Sequence, residues 1–382
     1  MKMPELQQIL QQYGNEYKEK HDLPIYVKKT LNAIEKCRTA ELGAHEDVCD
    51  HCGHKKISYN SCRNRHCPKC QLSAKEKWIY NQKFNVLNVK YFHVVFTIPD
   101  ILNKVVYYNQ TKMYNIMFKA ASETLQELAN DKKYLGAQIG FTTILHTWGQ
   151  NLKDHPHIHC IVPAGGLDSL GKWKNSKKKF FIPVKVLSKV FRGKLIYFMK
   201  QEKLEYFKEI EKLKIIEEFD KFISSLYSKD WVVYCKPPFK NANSVIEYLG
   251  RYTHRVAISN SRILNIDNRK VTFKWRDYSD NNKMKTMVLD AEEFIRRFIL
   301  HILPPRFMKI RHFGLLGNRN KTKKLTLCKS LTNTKVLTKE NISPLELLKK
   351  ISGKDFNLCP VCGKRTFNKT WSNIIIYNFI PS

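Results

Sequence analysis

The stretch "QNLKDHPHIHCIVPAGG", residues 150–166, sets three histidines at alternate positions, His155, His157 and His159. On a β-strand, residues two apart face the same side, so His157 and His159 are expected to point together. Two adjacent imidazoles can hold a metal ion; the alternative is a pair satisfied by ordinary hydrogen bonds. Pro156 cannot donate to a sheet ladder and predicts the start of the strand, which makes His155 the weaker ligand.

The charge balance points to a polyanionic partner. The 382 residues include 67 Lys and Arg against 34 Asp and Glu, a formal net charge of +33. Such a field attracts polyanions, of which nucleic acid is the commonest in a cell. The alternatives are an anionic membrane surface and a basic surface kept for solubility. The sequence has no basic amphipathic helix with a bulky apolar face, no lipidation motif and no apolar run of the ~20 residues that span a membrane.

The number and spacing of the cysteines indicate a metal site. With no signal-peptide pattern, we expect a cytoplasmic protein whose 11 cysteines stay reduced. The segment "CDHCGHKKISYNSCRNRHCPKC", residues 49–70, contains two C-x2-C pairs, Cys49 with Cys52 and Cys67 with Cys70. Their spacing is typical of a zinc ribbon and predicts one structural tetrathiolate site for Zn2+, with no position open to substrate.

Other residues near this segment leave the ligand set open. The surplus candidates are Cys37, His45, His51, His54, Cys62 and His66. They either complete a second site or replace one of the four thiolates. Arg63 and Arg65 lie among the ligands and are predicted to contact the DNA phosphate backbone. Cys359 and Cys362, in a late "CPVCG", form half a site, for which a vestigial pair is the alternative.

The segment "NSVIEYLGRYTHR", residues 243–255, predicts an amphipathic helix. Tyr248 and Tyr252 lie one turn apart along an edge of its apolar stripe, and Arg251 and Arg255 continue around that flank as predicted DNA contacts. Tyrosines in such positions are usually packing residues with a solvated hydroxyl. Combined with a histidine pair that holds a metal, they are instead the groups needed for covalent attack on a phosphodiester, in which a phenolate attacks phosphorus and a DNA 3′-hydroxyl leaves.

Strand and helix signals interleave along the chain, as in an α+β or α/β core. "YFHVVFTIP", "IGFTTILHTW" and "HIHCIVP" predict strands, and "VAISNSRILNIDNRKVTFKWRDY" predicts a hairpin that turns at Asp267 and Asn268. We predict three regions: a helical and zinc-binding DNA-binding domain over 1–85, a catalytic domain over 86–315, and a Lys-rich tail with the CPVCG knuckle over 316–382.

Four segments carry a family resemblance. "SYNSCRNRHCPKCQ", "FHVVFTIP", "TWGQNLKDHPHIHCIVPAGGL" and "YLGRYTHRVAISNSRI" closely resemble, in this order, segments of the two-tyrosine HUH transposases of the insertion sequence ninety-one family. The resemblance runs from about Cys37 to about Leu303 and fades in the tail. It implies an α+β fold: an HUH endonuclease core, in which an antiparallel sheet is flanked by helices, preceded by a small helical, zinc-ribbon-like domain.

The resemblance also implies roles for individual residues. It assigns the catalytic ion to His157 and His159, the nucleophiles to Tyr248 and Tyr252, and the structural zinc to Cys49, Cys52, Cys67 and Cys70. For the third catalytic ligand we favour Gln150, with His155 and His146 behind it. Imidazoles alone favour zinc or nickel. Related enzymes use Mg2+ or Mn2+, with oxygens from substrate phosphates and waters, and we follow the family.

The implied activity is rolling-circle transposition in bacteria. The enzyme would nick and rejoin single-stranded DNA at the element ends through 5′-phosphotyrosine links, with target DNA and host replication or helicase machinery as partners, at the nucleoid. A fused helicase is not expected, because no Gly-x4-Gly-Lys-Ser/Thr motif occurs. The competing functions are a rolling-circle replication initiator or relaxase, and, from another class, a zinc-ribbon DNA-binding protein without catalysis.

Overall fold

A computed structural model gives the fold of the chain. It describes residues 4–176, 182–239, 256–278, 280–339, 357–364 and 367–374, and positions 245, 246, 248, 250, 253, 343, 346, 349, 353 and 355. Two compact units emerge: one contains Met1–Tyr80, His254–Ile302 and Lys339–Ser382, and the other contains Asn81–Thr253 and Leu303–Thr338. This division differs from the predicted one, because the segment after the tyrosines and the end of the tail both group with the N-terminal cysteine region.

The second unit is built on a five-stranded antiparallel sheet. In spatial order its strands are β12 (Ile310–Gly314), β4 (Gly140–Trp148), β5 (Asp154–Pro163), β3 (Tyr91–Thr97) and β8 (Val233–Phe239). The three strands predicted from the sequence are therefore neighbours, and the histidine strand β5 lies at the centre. Every position of β4 is buried, although four of its nine residues are threonine or histidine.

One face of this sheet forms the hydrophobic core. The helices of this unit whose whole ranges are described are α4 (Asn103–Tyr108), α5 (Gln110–Asn130), α6 (Val184–Gln201), α7 (Ile216–Tyr227) and α9 (Lys321–Leu331). Ile158, Cys160 and Val162 of β5 join a core cluster with residues of α5 and α6. Phe96 of β3 packs on Phe191 of α6 with ring centroids 4.7 Å apart. The predicted α+β class, an antiparallel sheet flanked by helices, is confirmed.

A bulge near the start of β5 corrects the predicted strand start. The strand begins at Asp154, two residues before Pro156, and its register with β4 shifts between His146 and Trp148. Two residues, His155 and Pro156, therefore lie opposite the single residue Thr147. A bulge tolerates the missing proline N–H and breaks the two-residue alternation. His155 lies in this bulge, and its ring centroid is 5.0 Å from that of His157.

The first unit combines helices with two small sheets. Its helices are α1 (Leu6–Lys20), α2 (Ile25–Glu35) and α8 (Ala291–Ile299), and α3 (Pro68–Gln82) begins in it. The order β13-β1-β2 joins Phe367–Ile374, Ala44–Cys49 and Lys55–Tyr59, and the order β11-β10-β9 joins Lys283–Asp290, Lys270–Asp277 and Ile263–Asp267. The predicted hairpin is β9–β10, with its two-residue turn at Asn268 and Arg269, one position later than expected.

Two short strands, β6 (Gly165–Leu167) and β7 (Trp173–Asn175), complete the second unit. Across the part of the chain that the structure describes, no helix has the length and apolar character required to span a membrane.

Candidate active site and zinc sites

Three imidazoles lie together on the sheet face opposite the core. His146 of β4 pairs directly across from His157 of β5, so the two share a face, and His159 lies two residues further along β5. Their ligand atoms all lie within 4.8 Å of one another. His159 Nε2 and His146 Nδ1 are 3.1 Å apart. All three residues are at least nine-tenths buried.

The donor set fits a divalent ion. Metal–nitrogen bonds of ~2.0–2.1 Å hold neighbouring ligand nitrogens about 3.0–3.4 Å apart, which is the spacing of His146 and His159. His157 Nδ1 lies 2.5 Å from the backbone carbonyl oxygen of His155, to which it donates. That bond puts the proton on Nδ1 and leaves the Nε2 lone pair available for a metal.

The third ligand predicted first, Gln150, lies in the turn after β4. Its role stays a prediction, whereas His146, one of the two candidates placed behind it, lies in the imidazole cluster. Trp148 stacks on the His146 ring with centroids 4.8 Å apart, which fixes the ring orientation. His155 occupies the bulge and contributes its carbonyl to the site through His157.

His93 of β3 connects the imidazole cluster to a tyrosine. His93 Nε2 lies 2.8 Å from His159 Nδ1, and His93 Nδ1 lies 2.9 Å from the Tyr248 hydroxyl. Burial lowers the pKa of His93 to about 3, with smaller contributions from Lys236 and His157, so the ring is neutral near pH 7. Tyr248 is helical and half-buried. The predicted nucleophile and the predicted metal ligands therefore belong to one hydrogen-bonded chain.

Tyr252, Arg251 and Arg255 lie outside the described residues. Arg63 and Arg65 lie in the loop between β2 and α3, where Arg63 is exposed and burial lowers the pKa of Arg65.

The predicted zinc site of Cys49, Cys52, Cys67 and Cys70 is corrected. The structure separates its two C-x2-C pairs into different clusters of four thiols. One cluster is formed by Cys37, Cys62, Cys67 and Cys70, and the other by Cys49, Cys52, Cys359 and Cys362. The spacing within a C-x2-C pair identified each half of a site, but it does not specify the partner pair.

The first cluster, Cys37 with Cys62, Cys67 and Cys70, is drawn together by local contacts. Gln7 of α1 donates to the backbone carbonyl of Cys37 at 2.8 Å, which holds the chain just after α2 near α1. The Sγ atom of Cys70 lies 3.6 Å from those of Cys37 and Cys62, and Cys67 Sγ lies 3.7 Å from Cys37 Sγ. Tetrahedral zinc with Zn–S bonds of ~2.3 Å requires sulfur atoms about 3.8 Å apart. The spacing of these thiols therefore fits a structural zinc ion.

Three contributors to these sites were missed or undervalued in the sequence. Cys37 and Cys62 stood only among the surplus candidates, and His93 was included only as part of a strand. A signal for His93 exists, because a histidine within a run as apolar as "YFHVVFTIP" is unusual. The β3–β5 register pairs Val95 with His159, which puts His93 diagonally beside His159.

Comparisons with known proteins identify the class. A family model described as "Putative transposase" matches residues 140–324, and one described as "Transposase zinc-binding domain" matches residues 9–98. The chain is 42% identical over 369 residues to "Putative transposase y4qJ" of Sinorhizobium fredii (strain NBRC 101917 / NGR234), covering 94% of this chain and 93% of that protein. It is 29% identical over 301 residues to the transposase for insertion sequence element IS801 of Pseudomonas savastanoi pv. phaseolicola, covering 76% and 70%.

Among solved structures, the conjugative relaxase TrwC in complex with oriT DNA aligns with 44% of this chain and 67% of its own, at 14% identity and a TM-score of 0.26. The sequence relatives and the family models define a transposase with an N-terminal zinc-binding domain. The chain belongs to the insertion sequence ninety-one family of transposases, as its motifs predicted.

Proposed function

We propose that this transposase nicks and rejoins single-stranded DNA at the ends of its element through a covalent bond to Tyr248. The observation that carries the proposal is the hydrogen-bonded chain from the Tyr248 hydroxyl through His93 to His159 of the imidazole cluster. It joins a nucleophile to a metal-binding group on one sheet face. The net charge of +33 supports a polyanionic substrate.

The imidazole cluster of His146, His157 and His159 is proposed to hold the catalytic ion. When bound there, a divalent ion supplies Lewis-acid polarisation of a phosphoryl oxygen. Of the two ions that the family resemblance implies, Mn2+ accepts imidazole nitrogen more readily than Mg2+, which is held mainly through oxygen. We therefore propose Mn2+ or Mg2+, with Mn2+ the better fit to three nitrogens.

Ligation also fixes where the protons lie. If His159 ligates through Nε2, its proton must be on Nδ1, which then donates to His93 Nε2. A neutral His93 keeps its own proton on Nδ1 and donates it to the Tyr248 oxygen. A hydrogen bond donated to this oxygen stabilises the phenolate more than the phenol. His93 would thus favour the nucleophilic form of Tyr248 and orient it.

The proposed chemical step exchanges one bond to phosphorus for another. The Tyr248 oxygen bonds to phosphorus, the bond from phosphorus to the 3′-oxygen breaks, and the freed 3′-hydroxyl gains the proton that the phenol released to solvent. A 5′-phosphotyrosine link results, and attack by a 3′-hydroxyl reverses it to join strands. Tyr252 is proposed as the second nucleophile, which would allow a second end or a target strand to be processed.

The wider assembly follows the family resemblance. Arg251, Arg255, Arg63 and Arg65 are proposed to contact DNA phosphates. The element ends and the target DNA would be the substrates, met at the nucleoid, and strand separation would come from host replication or helicase machinery.

The direct test mixes the full chain with single-stranded oligonucleotides of each element end and Mn2+. A protein–DNA adduct that survives denaturing electrophoresis is expected. If neither end yields an adduct while the protein still binds the oligonucleotides, the alternative of a non-catalytic zinc-ribbon DNA-binding protein is favoured.

Replacing His93 tests the positioning role. His93→Ala should slow adduct formation by about 10–100-fold, the range for losing a group that orients a metal ligand. His93→Gln should recover part of the rate, because its amide oxygen can accept from His159 while its NH2 donates to Tyr248. Single-turnover rates across a Mn2+ titration measure both effects. Equal and full activity in the two variants would rule out this role.

The third ligand can be identified by comparing two alanine variants. His146→Ala should weaken the apparent Mn2+ affinity for nicking by at least roughly 10–100-fold, whereas Gln150→Ala should leave it nearly unchanged. Nicking rates at graded Mn2+ concentrations distinguish them. A larger loss in Gln150→Ala than in His146→Ala would restore Gln150 as the ligand.

A further inference from the structure

We propose that Cys49, Cys52, Cys359 and Cys362 bind a second structural zinc ion, which makes the end of the tail an integral part of the zinc-binding unit. All four thiol sulfurs lie within 4.8 Å of one another. Cys49 Sγ lies 3.7 Å from Cys362 Sγ, and Cys52 Sγ lies 3.7 Å from Cys359 Sγ. These four residues belong to the same compact unit although more than 300 residues separate the two pairs.

The sulfur spacing distinguishes a metal site from disulfides. A disulfide holds its sulfurs ~2.05 Å apart, whereas four thiolates around tetrahedral zinc with bonds of ~2.3 Å lie about 3.8 Å apart. The observed 3.7 Å agrees with the second geometry, and it matches the spacing in the Cys37 cluster. Thiolate ligands favour zinc over hard ions such as Mg2+.

The N-terminal pair forms a turn suited to holding two thiolates. The backbone N–H of Cys49 donates to the carbonyl of His54 at 2.9 Å, and the N–H of Gly53 donates back to the carbonyl of Cys49 at 2.8 Å. Gly53 has a φ of 70°, a left-handed conformation that favours glycine, and it directly follows Cys52. A glycine directly after the second cysteine therefore suits this turn.

The C-terminal pair forms the same turn. The backbone N–H of Cys359 donates to the carbonyl of Lys364 at 3.0 Å, and the N–H of Gly363 donates to the carbonyl of Cys359 at 2.9 Å. Gly363 also has a φ of 70°. Two turns with equal hydrogen bonds, equal glycine conformations and converging thiols are the two halves of a zinc ribbon. The lone CPVCG pair is therefore half of a complete site.

The backbone pairing supports the same arrangement. Strand β13, which follows the second turn, pairs antiparallel with β1, and Cys49 lies opposite Phe367. The matched zinc-binding family model ends at residue 98 and does not include the tail. Among the described residues within 9–98, one complete set of four clustered thiols occurs, formed by Cys37, Cys62, Cys67 and Cys70. The second ion thus needs ligands that the family model does not cover.

Zinc counting on the full chain tests the proposal. The background variant His157→Ala with His159→Ala removes the imidazole cluster as a third source of zinc. It should release about two zinc ions per chain to a colorimetric chelator after thiol modification, one for each tetrathiolate. Adding Cys359→Ser with Cys362→Ser should reduce this to about one. The matched control Cys328→Ser, a buried cysteine outside both clusters, should leave about two.

Alkylation of the unmutated chain gives an independent measurement that does not depend on the folding of a variant. Cys52 is exposed and Cys362 is half-buried, so without metal both would react with a maleimide at once. With zinc, mass spectrometry should find them protected, and a chelator should expose them together with Cys49 and Cys359. Retention of two ions in Cys359→Ser with Cys362→Ser, or immediate alkylation of Cys362 in zinc-loaded protein, would overturn the proposal.

Discussion

Replacing Tyr248 by phenylalanine should abolish covalent adduct formation at the first element end. The substitution removes the only atom that could bond to phosphorus at this position and keeps the ring. Loss of a nucleophile typically lowers the rate by roughly 10³-fold or more. The rate of adduct formation with a labelled single-stranded end, measured in Mn2+ under single-turnover conditions, gives the magnitude.

The control for this variant is another tyrosine of the same unit. Tyr234 of β8 has 49% of its surface exposed, and Tyr234→Phe should nick at the rate of the unmodified chain. Oligonucleotide binding should be unchanged in both variants, because the phenol oxygen contributes little to phosphate attraction at a charge of +33. If Tyr248→Phe formed the adduct at the full rate, another residue would have to be the nucleophile of the first cut.

Removing the paired histidines of β5 should have the next largest effect. His157→Ala with His159→Ala deletes two of three nitrogens of the cluster, so the chain should lose Mn2+ binding at this site. Without metal assistance, nicking should fall by roughly 10²–10⁴-fold, the usual range for losing one strong catalytic contribution. Calorimetric titration with Mn2+ and single-turnover nicking measure binding and chemistry separately.

A surface histidine is the matched control. His21 of the first unit is 39% exposed and contacts Glu292, so His21→Ala should preserve both Mn2+ binding and nicking. Zinc content should remain at the wild-type tetrathiolate level in the double variant, which would show that the structural sites are intact. Unchanged Mn2+-dependent nicking in the double variant would contradict the assignment of the catalytic ion to β5.

The sequence predicted the central strand and its partners because these depend on local patterns. The run around His93 and the stretch before Trp148 combine β-branched and aromatic residues, and both form strands next to β5. The alternation that pairs His157 with His159 is likewise local. The bulge at His155 and Pro156 was not predictable in position, since it depends on the register with β4.

The site depends on contacts that a linear pattern does not specify. His146 joins the cluster because β4 pairs with β5 in one register, and His93 joins because β3 lies on the other side. A one-residue slip of either strand would turn its histidine to the opposite face. Gln150 was placed first as the third metal ligand on the family resemblance, which does not specify how β4 and β3 pair with β5.

The cysteine clusters likewise depend on contacts between distant residues that a local sequence pattern does not specify. Every C-x2-C pair was recognised from its spacing, but the partner of Cys49 and Cys52 lies in the tail, at Cys359 and Cys362. The path between them includes the whole second unit. The folded structure decides whether so long a loop closes, and the spacing within either C-x2-C pair does not indicate which pair is its partner.

Nicking is expected to join the Tyr248 oxygen to the 5′-phosphate of the cleaved strand. The most direct measurement is tandem mass spectrometry of the protease-digested adduct formed with an element-end oligonucleotide in Mn2+, after nuclease trimming to the attached nucleotide. We expect a nucleotide mass on the Tyr248 side chain. A nucleotide attached only to another residue, other than Tyr252 at a second end, would contradict it.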